Sequence, residues 1–404
     1  MPKPTKVKYY LYQIARSAQL SGPIWVLFLT SRGMSFTQVG ALDSAFAAVI
    51  VLAELPTGYI GDRIGRRNGL LLSAALGTIG SVGFAFSSSF GPFLLLYSLA
   101  ALEQTFRSGT EDAWLYDMLD ERFDSDQFSA VRGRGKALGQ VTGGVAAIAG
   151  GALGGIDLAL PWLVSGGSTA VAFSVLLTFP ETDSADGDDD SFDVTAAFET
   201  VRSQLMGSAL VPFVLYAGVF YAVIAGLNYL VQPVARASGI SIAQIGLLYA
   251  GFRALSAGVN AFSGRIEEEV GSQTWFRVVP LVLGAGFAAI IPFRTLAIPA
   301  FFLMKAVNDV SITLEQQYLN DRIKGIGRAT VLSSVALVHS VIAIPFQLIV
   351  GGGADLFGPR VAAGVFGVVL SVVAGAALLL GNLFGDGVLR SDDDILETAE
   401  VADD

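Results

Sequence analysis

A few ionisable side chains stand at helical spacing inside long apolar stretches. Glu103 and Arg107 are four residues apart, Glu111 follows after four more, and Lys305 and Asp309 repeat the spacing with the charge order reversed. On a continuous helix such residues share a face. A charge in the middle of a membrane span costs about 2.5–3.5 kcal/mol on insertion scales, so it pairs or faces a cavity. Two roles fit. One carboxyl exchanges a proton while its basic neighbour tunes it, or the pairs merely neutralise themselves so that insertion is tolerable. Arg16, with Gln13 beside it, is placed to receive an anionic group or to pack against another helix. Tyr216, Phe220, Tyr221 and Asn228 form either a mixed aromatic and polar wall for an amphiphilic ligand or ordinary helix packing. Arg253 and the one histidine, His339, read as structural.

Much chemistry is excluded. The chain has no cysteine and a single histidine, so disulfides, thiolate nucleophiles and His/Cys metal clusters are out of reach. No phosphate loop, HExxH site or GxSxG elbow occurs, and we expect neither an enzyme nor a cofactor beyond a coupling ion.

The elements that must carry these charges follow from composition. Of 404 residues 53% are hydrophobic and 15% charged, and the mean hydropathy is +0.60, more than one soluble core hides. Apolar runs of about 20 residues, each enough to cross a hydrocarbon core of ~30 Å, lie near 9–31, 40–60, 69–88, 92–119, 134–156 and 158–179, then near 208–232, 242–263, 274–292, 295–319, 326–350 and 360–384. This predicts an all-α membrane protein of twelve transmembrane helices. The first run lacks a small-residue cleavage site and continues into a hairpin, so it reads as a span rather than a signal peptide. We expect a first six-helix bundle over 1–180, an acidic cytoplasmic linker over 181–207, a second bundle over 208–385 and an acidic disordered tail over 386–404. Loop charge sets orientation. Lys6 and Lys8, Arg63, Arg66 and Arg67, Arg132, Arg134 and Lys136, and Arg322 with Lys324 fall on one side of a twelve-span chain, placing both termini in the cytoplasm of a cell-membrane protein. The net charge of −10 suits a high-salt cytoplasm, as in a halophile.

An internal repeat underlies the two bundles. Shifting the chain by 206 residues lays Gly33, Ser35, Gln38, Gly40, Phe46, Gly58 and Gly65 on Gly239, Ser241, Gln244, Gly246, Phe252, Gly264 and Gly271. Ser35 with Gln38, and Ser241 with Gln244, have capping-box spacing. Repeated halves are a common way to build a transporter site at mid-membrane.

After the second run comes Gly58, Tyr59, Ile60, Gly61, Asp62, Arg63, Ile64, Gly65, Arg66, Arg67, which resembles the GxxxDRxGRR signature of the major facilitator superfamily. The resemblance implies a fold of two pseudo-symmetric six-helix bundles and alternating access. It makes Gly58, Gly61, Asp62, Arg63, Gly65, Arg66 and Arg67 a conformational latch, with the arginines anchored to anionic headgroups. The second-half copy keeps Gly264, Glu268 and Gly271 but has Glu267 and Glu269 where the first has a small residue and an arginine. The stretch from Arg107 through Asp117 is similar to one in drug-efflux-like permeases. The glycines 139, 143, 144, 150, 151, 154 and 155 resemble an antiporter motif without its Gly-Pro pair. In the resembled family the fourth and tenth spans line the central cavity, so Glu103 would meet Lys305 and Arg107 would meet Asp309. The expected function is proton-coupled export of a lipophilic or amphiphilic compound by a monomer in the lipid bilayer. The alternatives are proton or sodium symport of a small polar or anionic solute, and a non-transporting sensor. No nucleic-acid partner is expected.

Overall fold

The structure is a computed structural model that describes residues 3–122, 125–180, 210–322 and 328–380. The linker at 181–207, the tail at 386–404, Lys324 and the side chains of Asp62 and Arg328 lie outside the described residues. Fourteen α-helices are present among those described: α1 Lys3–Ser17, α2 Trp25–Ser31, α3 Phe36–Ile64, α4 Arg66–Phe86, α5 Phe90–Arg107, α6 Thr110–Arg122, α7 Phe128–Gly154, α8 Leu160–Leu177, α9 Val211–Ala237, α10 Ile242–Val270, α11 Ser272–Ala288, α12 Ala297–Asn320, α13 Arg328–Phe357 and α14 Pro359–Leu380. Nine helices among the described residues are long and apolar enough to cross a membrane. Leu52, Phe86, Leu356 and Leu379 are among many large apolar side chains turned outward, as lipid contact requires.

Two expected spans are broken. The run at 9–31 divides into α1 and α2 around residues 18–24. Gly22 and Pro23 stand there, and proline brings no amide donor for a helix ladder. The freed backbone is satisfied by side chains instead: Leu20 N donates to Ser165 Oγ at 2.8 Å, and Val26 N donates to Gln232 Oε1 at 2.9 Å. The run at 92–119 divides into α5 and α6 at Ser108 and Gly109, where Gly109 has φ +77°, a conformation that glycine adopts without steric cost. Glu111 therefore does not continue the face of Glu103 and Arg107.

The repeat persists in the backbone. Gly33 and Gly239 have φ of +83° and +89°, and Gly65 and Gly271 have +88° and +71°. Ser35 and Gln38 form a reciprocal capping box at the start of α3. At the matching start of α10, Ser241 N donates to Gln244 Oε1 at 2.8 Å and Gln244 N to Ser241 Oγ at 3.3 Å.

The chain forms two compact units. Among the described residues the first comprises those within 3–180 and 232–254, the second those within 210–231 and 255–380. Within the first, α4 packs on α8 and α5, α3 on α5, and α1 on α7 and α8. A core of Tyr9, Tyr12, Trp114, Leu115, Met118 and Phe179 fills the space between α1, α6 and α8. The 242–254 part of α10 meets α7 backbone to backbone: a β-carbon added to Gly151 would lie 2.6 Å from Gly246 Cα. Within the second unit, α11 packs on α14 and α12, and α13 on α14. There Gly284 and Gly367 allow an equally close approach.

Candidate functional site

A cavity of about 700 Å³ opens in the first unit. Its lining comes from the end of α1 (Tyr9, Gln13, Arg16), the break between α5 and α6 (Glu103, Arg107, Glu111, Asp112), α7 (Lys136, Gly139, Gln140) and Arg253 of α10. Because α6 restarts after Gly109, the Glu111 carboxylate turns towards α1. It accepts from Gln13 Nε2 at 2.5 Å and lies 3.3 Å from Arg16 Nη2. Gln13 Oε1 in turn accepts from Arg16 Nη1 at 3.3 Å. Gln13 and Arg16 thus converge on one carboxylate from one helix face, three residues apart.

The other acids in the cavity are matched as well. Glu103 lies 3.7 Å from Arg107 Nε, both partly buried. Asp112 accepts from Arg132 Nε at 2.7 Å and lies 3.7 Å from Lys136 Nζ. The remaining cation is Arg253. Its guanidinium donates to Gln140 Oε1 at 3.4 Å, and no carboxylate among the described residues reaches salt-bridge distance of it. Gly143 makes room for it: a β-carbon there would sit 2.8 Å from the guanidinium carbon. Of the two neighbouring glycines on α7, Gly143 faces Arg253 while Gly139 faces Ser17 of α1.

The arginines of the latch motif make bonds within the first unit. Arg66, at the start of α4, pairs with Asp117 of α6. Arg67 donates to the last carbonyls of α8, to Leu176 O at 3.2 Å and Leu177 O at 2.9 Å, where a helix end attracts positive charge. Arg63 bonds its own helix through Tyr59 Oη at 3.1 Å. A β-carbon on Gly61 would make only ordinary contact with Thr110, at 3.8 Å, Gly65 supplies the left-handed turn, and a side chain at Gly58 would meet open space.

In the second unit two of the four expected wall residues, Tyr216 and Phe220, are buried in packing, whereas Tyr221 and Asn228 are half-buried. Tyr216 is buried and donates to Phe276 O at 2.7 Å, and Phe220 is buried against Phe276 and Tyr221. None of these lines the cavity of the first unit. Asn228 Oδ1 instead accepts from Lys305 Nζ at 2.5 Å, and Asp309 accepts from Asn308 Nδ2 at 3.4 Å. Within the first unit Glu103 pairs with Arg107, and within the second Lys305 donates to Asn228.

Comparison with known proteins agrees with this architecture. A family model described as Major Facilitator Superfamily matches residues 13–337. The Bacillus subtilis (strain 168) protein YxaM, named an uncharacterized MFS-type transporter, is 22% identical over 77% of this chain and 80% of its own length. Among solved structures, a mutant of the nucleoside transporter NupG superposes with a TM-score of 0.80 at 11% identity, covering 93% of this chain and 99% of that one. An inward-facing, occupied bacterial homolog of the human lysosomal transporter Spinster gives a TM-score of 0.71 at 16% identity, covering 94% and 96%.

Proposed function

The chain belongs to the major facilitator superfamily, and on that premise we propose that it carries a small polar solute with an anionic group, using the cavity of the first unit as its binding chamber. It is a multi-pass membrane transporter rather than an enzyme. One observation carries the substrate class: after Arg16 pairs with Glu111, Arg107 with Glu103 and Lys136 with Asp112, the cavity keeps Arg253 as a surplus cation. A lipophilic compound would leave that charge and the paired groups desolvated without compensation. An anion offers Arg253 a two-pronged partner. We therefore favour the polar solute over amphiphilic export.

Alternating access through twelve spans, the first and fourth each broken, completes the reading, with both termini cytoplasmic, a proton or sodium ion as coupling ion and the monomer as working unit. One observation favours exchange as the second reading: the glycine face of α7, which resembles an antiporter motif, is the face packed on α10 at Gly151 and Gly246.

The test is ligand-induced stabilisation of the purified protein in detergent, across a panel of carboxylates, phosphates, zwitterions and lipophilic cations. A ligand at a hundred times its Kd adds about 2.7 kcal/mol to stability. Stabilisation by anionic members in the wild type, absent in Arg253→Ala, supports the assignment. Stabilisation by lipophilic cations alone contradicts it.

A further inference from the structure

The second unit holds a buried acid and imidazole that the transport chamber does not use. Glu315 of α12 and His339 of α13 meet with Oε1 3.5 Å from Nε2, their side chains 9% and 14% exposed. Nε2 also lies 3.1 Å from Val214 O of α9. A carbonyl oxygen only accepts, so Nε2 carries a hydrogen. The Tyr221 ring lies 5.4 Å from the imidazole, and its hydroxyl approaches the Glu315 carboxyl. Yet neither the buried Tyr221 hydroxyl nor the buried Glu315 Oε1 has a hydrogen-bond partner of good geometry among the described residues.

We propose that Glu315 is a proton-binding site of the transport cycle, with His339 and Tyr221 as its positioning residues. The step is simple. The carboxylate takes up one proton from water to become the neutral acid, and returns it when the surrounding helices repack. The one Nε2–H of His339 is shared between Val214 O at 3.1 Å and the Glu315 carboxylate at 3.5 Å, and the Tyr221 hydroxyl beside the carboxyl is a second donor available to its charged form. Two neighbouring buried polar atoms without a well-formed hydrogen bond call for an explanation, and a site whose bonding changes between states supplies one. Other charges around Glu315 are few. On α12 itself Tyr318 is a turn away, with the Arg322 guanidinium stacked 3.8 Å from its ring centroid, and Asp309 and Lys305 lie further back on the same helix. On α11 Arg277 is exposed, and α13 carries Arg328 at its start, with its side chain outside the described residues, then His339 and Asp355.

This inference rests on the transporter reading but not on the identity of the solute, and its test needs no solute. The purified full chain in liposomes is stepped in pH across the physiological range while the infrared absorption of protonated carboxyls is recorded. The single histidine, labelled with ¹⁵N, is followed by nuclear magnetic resonance. The proposal expects a buried-carboxyl band that titrates in the wild type and is lost in Glu315→Gln, and a His339 ring signal that shifts with the same midpoint and stops shifting in that variant. Tyr221→Phe keeps the band and displaces its midpoint, which covers the case in which Glu315→Gln fails to fold. A wild type without a titrating buried carboxyl, a band unchanged in folded Glu315→Gln, or a midpoint indifferent to Tyr221→Phe overturns the proposal, while solute binding in the first unit would be untouched by any of these results.

Discussion

The Arg253 guanidinium occupies the space that a side chain at position 143 would fill: a β-carbon on Gly143 would lie 2.8 Å from its central carbon. A residue of α10 thereby reaches the cavity through a gap in α7, and Gln140 Oε1 holds it there at 3.4 Å. The gap and the charge form one device, so they should fail together. Gly143→Val should displace the guanidinium and weaken anion binding about as much as Arg253→Ala does. A charged hydrogen bond of about 1.5–3 kcal/mol corresponds to roughly ten- to hundredfold in affinity. Titration calorimetry with the anionic ligand that stabilises the wild type measures it. Equal affinity in Gly143→Val and wild type would show that Arg253 does not hold the anion.

Gln232 should matter for stability. Its Oε1 accepts from Val26 N at 2.9 Å and Leu27 N at 3.3 Å, and its Nε2 donates to Gly22 O at 3.0 Å. Gln232→Leu leaves these groups of the broken first span unpaired, at a cost of about 1–3 kcal/mol. Thermal unfolding in detergent should show a lowered midpoint. Gln232→Glu keeps the acceptor and should lose less.

The backbone contact of Gly151 with Gly246 should tolerate no side chain. A β-carbon on Gly246 would lie 2.5 Å from Ala147 O, so Gly246→Val must pry α7 and α10 apart. The chain has no cysteine, which makes single introduced thiols readable. A cysteine at Ala147, buried on the α7 side of the contact, should react with a water-soluble maleimide faster in Gly246→Val than in the parent, and an unchanged rate would mean that the contact does not seal this spot.

The ion pair of Arg66 with Asp117 joins α4 to α6 with side chains 31% and 26% exposed. Partial exposure keeps its coupling modest, on the order of 1 kcal/mol. A double-mutant cycle of Arg66→Gln and Asp117→Asn on unfolding free energy should return that coupling, whereas strict additivity would make the two residues independent.

What could be read from the residues alone was whatever depends on local pattern. The 206-residue offset placed the paired glycines at 33 and 239 and at 65 and 271, because only glycine adopts their positive φ cheaply, and the capping boxes at Ser35 and Ser241 follow from three-residue spacing. Hydropathy located the membrane helices but joined α1 to α2 and α5 to α6. Averaging over a window hides one Gly-Pro pair or one glycine that ends a helix. The site was hardest to see because its bonds join distant positions. Gln13 meets Glu111 across 98 residues, and Arg253 meets Gln140 across 113. Helical spacing suggested that Glu111 extends the face of Glu103 and Arg107, and the left-handed Gly109 redirects it to Arg16.

The most direct test of the account is uptake by the purified protein in liposomes, over a panel of labelled anionic, zwitterionic and lipophilic compounds, with an imposed pH or sodium gradient and an ionophore control. The account predicts gradient-dependent accumulation of an anionic polar solute that is abolished in Arg253→Ala. Accumulation of lipophilic cations, undiminished in that variant, would contradict it.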